Sequence, residues 1–280
     1  VNNVVLGSCY TAQHLTTGDQ NFIVGFQAGR CLCSGTGNVY LGTYAGKSSS
    51  TVSDNTGGYN VGLGYNALGS NTSGCFNVSL GFSAGKCITS GLRNTSIGYE
   101  AGPKTAASTG RCNTFIGSYS GNKVTTGCNN IGIGDYTLQG NTTGKWNISI
   151  GLYAGSSCAD TKGRNISIGR CTNFRTYGEK NIAIGENAGQ GTAPSSTGDN
   201  VGTDNIFLGT DSGRCITTGC DNIFIGKYSG CKATSAGCNI AIGMNAAMDI
   251  TTGLQNTIVG RQAAENITTG CYNSVFGYAA

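Results

Sequence analysis

The chain has 280 residues, of which 48 are glycine, 2 are proline and only 11% are charged. Glycine this abundant without a Gly-X-Y period excludes a collagen helix, and regular aliphatics with so little charge exclude a disordered chain. The net charge of +4 arises from 17 basic and 13 acidic residues without a long basic run, and no apolar run reaches membrane-spanning length, so neither nucleic acid nor membrane insertion is expected.

In chain order, the first recognisable element begins at Asn3, followed four residues later by Gly7 with a leucine just before the glycine. The same unit recurs at Asn21, Asn38, Asn60, Asn77, Asn94, Asn113, Asn130, Asn147, Asn165, Asn181, Asn205, Asn222, Asn239, Asn256 and Asn273. The mean period is 18 residues, and nine of the intervals are 17. Such a repeat predicts an all-β chain built as a parallel β-solenoid of sixteen short coils, forming one repeat array over 1–280. The array is cut within its repeat at both ends, so it is expected to be a segment of a longer protein or a unit that stacks end to end.

Numbering each asparagine zero, position +1 is Val, Ile, Phe or Thr in all but the last coil, and +3 is Ile, Leu, Val or Phe in all sixteen. The alternation puts +1 and +3 on one side of a short strand and +2 on the other. With +2 ranging from Gly62 and Ser149 to Tyr40 and Phe207, the reading is that +1 and +3 fill the interior. Position +2 then faces solvent or a neighbouring chain, and Phe115, Phe207 and Phe224 line a lateral interface. Glycine at +4 and a small residue at +7 predict a bend and a narrow interior corner, with nine coils adding glycine at +8. Each coil closes in a turn, often Thr-Thr-Gly. The asparagines predict a ladder of stacked amides satisfying one another at a bend. The sequons at Asn71, Asn141 and Asn266 fall in turns, whereas those at Asn77, Asn94, Asn147 and Asn165 fall on the ladder and should be inaccessible.

There are 14 cysteines. Those at recurring places, Cys75, Cys87, Cys215, Cys220, Cys231 and Cys238 among them, are candidates for disulfides within or between chains, with buried free thiols as the alternative. Cys31 and Cys33 are the closest pair, but no second pair or histidine stands at ligand spacing, and no metal or cofactor is expected. One histidine and scattered carboxylates leave little for acid–base or nucleophilic catalysis. The candidate recognition residues are Trp146, Tyr44 and Tyr153, together with the long insertions 47–59 and 190–204.

The N-x-x-I-G-x-x-A-G pattern, as in residues 38–46 and 181–189, resembles the head repeats of YadA-like trimeric adhesins. The fuller unit of residues 64–77 resembles repeats in fibre proteins of phages and large DNA viruses. The resemblance implies a left-handed parallel β-roll with three chains side by side, on the virion surface or otherwise extracellular. The long period and the cysteines favour a virion fibre over a bacterial adhesin. The expected function is therefore a non-catalytic attachment fibre, self-associating as a homotrimer, with a host-surface glycan or receptor as a further partner. A self-assembling extracellular filament and a bacterial adhesin head are the alternatives.

Overall fold

The computed structural model describes residues 2–48, 55–105, 107–156, 163–173, 178–191 and 201–280. The fold is all-β: sixteen parallel strands of three residues, stacked as β-solenoid coils in chain order. The chain divides into two compact units, residues 1–144 and 145–280. The first holds strands β1 (Val4–Leu6) to β8 (Ile131–Ile133), and the second holds β9 (Ile148–Ile150) to β16 (Ser274–Phe276). Within each unit every strand pairs with the next in perfect repeat register, as Val4 with Phe22 and Ile223 with Ile240.

The strands are short because both ends are fixed by the repeat. At the start, the +1 N–H donates to the carbonyl of the next coil's asparagine, as Phe22 does to Asn38 at 2.8 Å. At the end, the +4 glycines from Gly25 to Gly260 have φ between +120° and +138°, a region that a side chain rarely enters. They are also crowded: a Cβ on Gly117 would stand 2.6 Å from the backbone of Gly134 one coil on.

The interior is the reverse of the expected one. Position +2 points inward: Ile23, Tyr40, Phe115, Phe207, Phe224 and Ile258 are all at most 1% exposed. Positions +1 and +3 point outward, and Phe22, Leu41, Leu80 and Ile184 are exposed. Phe115, Phe207 and Phe224 are therefore core residues and line no lateral interface. The physical reason is the cross-section of the coil. Its small +7 corner, as at Ala28 and Ala45, and its +8 residue close directly over +2.

Sizes at +2 and +8 are exchanged. Where +2 is aromatic, +8 is glycine: a Cβ on Gly121 would lie 2.5 Å from the Phe115 ring, and one on Gly189 2.8 Å from Phe207 of the next coil. Where +2 is Gly62 or Gly132, +8 is Leu68 or Leu138, both buried. The core is thus a column of interdigitated large and small groups, completed by aliphatics from the closing turn such as Leu32, Ile88, Ile216 and Ile250.

Candidate functional site

The asparagine ladder is built as expected. In each unit the Oδ1 of one asparagine accepts the backbone N–H of the next, at 2.8 to 3.1 Å. Asn222 illustrates the full set. Its Oδ1 also accepts Nδ2 of Asn239 at 3.0 Å. Its own Nδ2 donates to Asn205 Oδ1 at 3.0 Å and to the carbonyl of Ala236 at 2.7 Å. All fourteen ladder asparagines from Asn21 to Asn256 are at most 9% exposed, so the amide satisfies a bend that water cannot reach. The ladder sequons are buried accordingly. Asn71 and Asn141 are buried as well, contrary to their reading as accessible turn sequons, because each lies under the closing turn. Asn141 Oδ1 accepts Gly144 N–H at 2.8 Å.

Outside the core, two features run along the coils. The first is the ridge of +1 and +3 side chains, two apolar groups per coil except where +1 is Thr95, Thr114, Thr257 or Ser274. The second is a column of rings at the bend after the +4 glycine in the first unit. Tyr10, Phe26, Tyr44, Tyr65, Phe82, Tyr99, Tyr119 and Tyr136 follow one another with centroids 5.1 to 6.4 Å apart. Tyr44 is therefore one ring of a column. Trp146 belongs to the second unit and to another position, just before a ladder asparagine; its ring is 52% exposed, and Arg164 lies over it at 5.4 Å. Tyr153, at +6 in the same coil, is half-buried. The structure does not gather these three residues into one site. Parts of both long insertions, 49–54 and 192–200, lie outside the described residues.

The thirteen described cysteines are free thiols, Cys75, Cys87, Cys215, Cys220, Cys231 and Cys238 among them, where the sequence suggested disulfides. Local geometry explains several. Cys220 and Cys75 each turn the thiol back to the carbonyl two residues earlier, and Cys87 donates to Lys104 O at 2.8 Å. Cys215 and Cys231 do sit in adjacent coils, joined by Cys215 N–H donating to Cys231 O at 3.0 Å. Burial raises the pKa of both thiols, that of Cys231 to about 11.

Among the described residues no three His, Cys, Asp or Glu side chains come together as a metal-holding group, and no helix is long and apolar enough to cross a membrane. Sequence reasoning saw only the +6 rings of the aromatic column, Tyr44 among them, because the others stand at +5 and, for Tyr10, at +7. It also missed the left-handed conformation of the residue before each asparagine, as at Tyr59, Phe76 and Trp146. The size exchange between +2 and +8 was a signal available in the sequence that would have oriented the strand correctly.

These features define a parallel β-solenoid repeat protein with a buried amide ladder. Comparison with protein-family models, with curated proteins and with solved structures finds no match.

Proposed function

We propose that this chain is a non-catalytic structural fibre segment of the viral or phage attachment kind, on the outside of a particle, with three copies side by side. The observation that carries this reading is the outward ridge. Val78 and Leu80, or Ile131 and Ile133, present two aliphatic side chains at 37 to 44% exposure on one coil. An apolar pair recurs in successive coils from residue 4 to residue 80 in the first unit and from residue 148 to residue 242 in the second, at a strand spacing of about 4.8 Å, with Thr95, Thr114 and Thr257 at +1 elsewhere. A continuous apolar strip several coils long exceeds what monomeric surfaces carry, and a second copy of the same chain offers the same repeat spacing. Three ridges facing one axis would bury each other. The interface is thus transferred from the +2 residues, which are core, to the +1 and +3 residues. The buried ladder supports the mechanical half of the reading, since within each unit every coil is tied to the next by amide and backbone hydrogen bonds.

The test is the solution mass by light scattering, with and without reductant, for the parent chain and for I133K/I242K. The reading expects three chains in both conditions for the parent and a smaller, folded species for the variant. A folded monomeric parent would overturn the trimer.

A further inference from the structure

On one flank of the first unit, three consecutive coils bring basic residues together. His14 N–H donates to Arg30 O at 3.1 Å, and Cys31 N–H donates to Lys47 O at 3.0 Å, so His14, Arg30 and Lys47 occupy successive rungs. A pocket of about 260 Å³ lies among them, lined by His14, Arg30, Cys31, Lys47 and Ser48. Cys31 and Ser48 are buried, and the three basic side chains are half-buried.

Two observations describe how the cations of this pocket are held, with no counter-ion among the described residues. Arg30 reaches only the amide oxygens of Gln13 and Gln27, at 3.3 and 3.4 Å. Lys47 lies over the Tyr44 ring at 4.9 Å, and Arg30 over Tyr10 at 5.4 Å. Three other cations at comparable places in the coil meet carboxylates: Lys104 pairs with Glu100, Arg214 with Asp211 at 3.6 Å and Lys232 with Asp249 at 2.9 Å, whereas Lys86 and Lys123 form no ion pair among the described residues. The +6 residue that supplies the acid in two of these pairs is Gln27 or Tyr44 in the coils of Arg30 and Lys47. The rings hold both cations beside the pocket, and no carboxylate among the described residues forms an ion pair with either.

We propose that this pocket binds a tetrahedral oxyanion, carried as the sulfate ester of a surface glycan. Two adjacent like charges are relieved by one shared dianionic or ester oxyanion. The guanidinium supplies a planar donor fork, the ammonium a point charge, and the imidazole a ring donor at the rim. The exposed Tyr10 and Phe26 rings next to Arg30 offer an apolar surface to the sugar that carries the ester. The glycan source rests on the attachment reading above; oxyanion binding does not.

His14 is the only histidine of the chain, so its imidazole is a single NMR reporter. The full chain is titrated with sodium sulfate at constant ionic strength, against sodium chloride. A saturable shift of the imidazole signals with sulfate and none with chloride is expected. R30Q and K47Q should each weaken that binding about tenfold, as loss of one charge-assisted contact does. A shift that is linear, or the same in chloride, overturns the pocket, and the parent chain alone decides that if a variant fails to fold. Equal binding by folded variants also overturns it. A second arm compares a sulfated polysaccharide with its desulfated form. Preference for the sulfated polymer supports the source; no preference, or stronger competition by a phosphate monoester, overturns the source while leaving the pocket. Because none of these readouts depends on mass, a monomeric chain would sink the trimer without touching this result.

Discussion

Asn38 donates twice to one oxygen of Asn21: its backbone N–H lies 2.9 Å and its Nδ2 3.0 Å from Asn21 Oδ1. Such a step couples a main-chain donor and a side-chain donor of one coil to the side chain of the coil before it; at Asn181 the backbone N–H alone reaches Asn165 Oδ1, and Nδ2 donates to Gly202 O. The arrangement needs an acceptor and two N–H groups on the same short side chain, which only an amide provides. Asn222→Ala would strand Asn239 N–H and Ala236 O in the core of the turn and leave Asn239 Nδ2 with only the Gly253 and Gly237 carbonyls, with an expected loss of about 2–4 kcal/mol. Asn222→Asp should cost at least as much, because the carboxylate cannot donate to Asn205 or Ala236 and is buried. Urea unfolding checks both, with Asn273→Ala, in a half-buried end coil, expected to be milder.

Position +8 lies in the left-handed region in every coil from the second to the fifteenth. It is glycine in nine, and Leu68 (φ +53°), Leu138 (+48°), Asn173 (+45°), Ala247 (+47°) and Ala264 (+44°) in the rest. The leucines offset the backbone cost by burial, each at most 1% exposed in the core. Ala264 is half-buried and offsets little. Ala264→Gly is thus expected to stabilise by about 0.5–1 kcal/mol, against the usual sign for Ala→Gly. A lower thermal midpoint for this variant would contradict the strain argument.

Much of this architecture is legible in the sequence: the coil count, the strand positions, the glycine bend, the small corner at Ala28 or Ala45 and the buried amides. What failed was the sign of the strand. A run such as Ile223-Phe224-Ile225 has apolar residues at all three positions, so alternation alone cannot say which face is inside. The choice fell on the more uniform pair, on the assumption that cores are uniform and surfaces vary. Here the interior varies because each coil fills one narrow space with different large and small residues, as at Tyr40 over Gly46 or Gly62 in the coil of Leu68. The outward pair stays mostly aliphatic, with Thr at +1 in three coils, consistent with repeated packing against identical neighbours. The cysteines misled for a related reason: matching places in a repeat are one strand spacing apart only in adjacent coils, a condition that Cys75 and Cys87 do not meet.

Thiol reactivity should separate the cysteines by burial. The Cys231 thiol is shifted from an ordinary 9.0 to about 11, with burial the main cause. At pH 8 its thiolate fraction falls about a hundredfold below that of an ordinary thiol. Alkylation followed by peptide mass spectrometry should label the exposed Cys9 and Cys112 first, and the buried Cys31 and the pKa-raised Cys231 last. The linkage has a definite sign. The folded state holds this proton more tightly than the unfolded state, so its contribution to stability is complete below pH 9 and is lost as pH rises through about 11. Early labelling of Cys231 at pH 8 would contradict the burial.

Phe224 and Ile225 provide the most direct test of which way the strand faces. Phe224 is fully buried, its ring 5.8 Å from that of Phe207 and tilted 30° to it, and closed over by Gly230, where a Cβ would stand 2.7 Å from the ring carbon Cγ. Phe224→Ala is therefore expected to cost about 3–5 kcal/mol, the value for a large ring lost from a packed core. Ile225 points outward and is only partly covered within its own unit. Ile225→Thr keeps the β-branch and should cost less than about 1 kcal/mol in a dissociated chain. If ridges pack together in the assembly, the same substitution weakens association while the coil stays intact. Urea unfolding at low protein concentration reads the first effect, and light scattering across a dilution series reads the second. A silent Phe224→Ala with a collapsed Ile225→Thr would restore the opposite facing of the strand. A collapsed Phe224→Ala with no effect of Ile225→Thr on either readout would keep the core as described and remove the ridge from the interface.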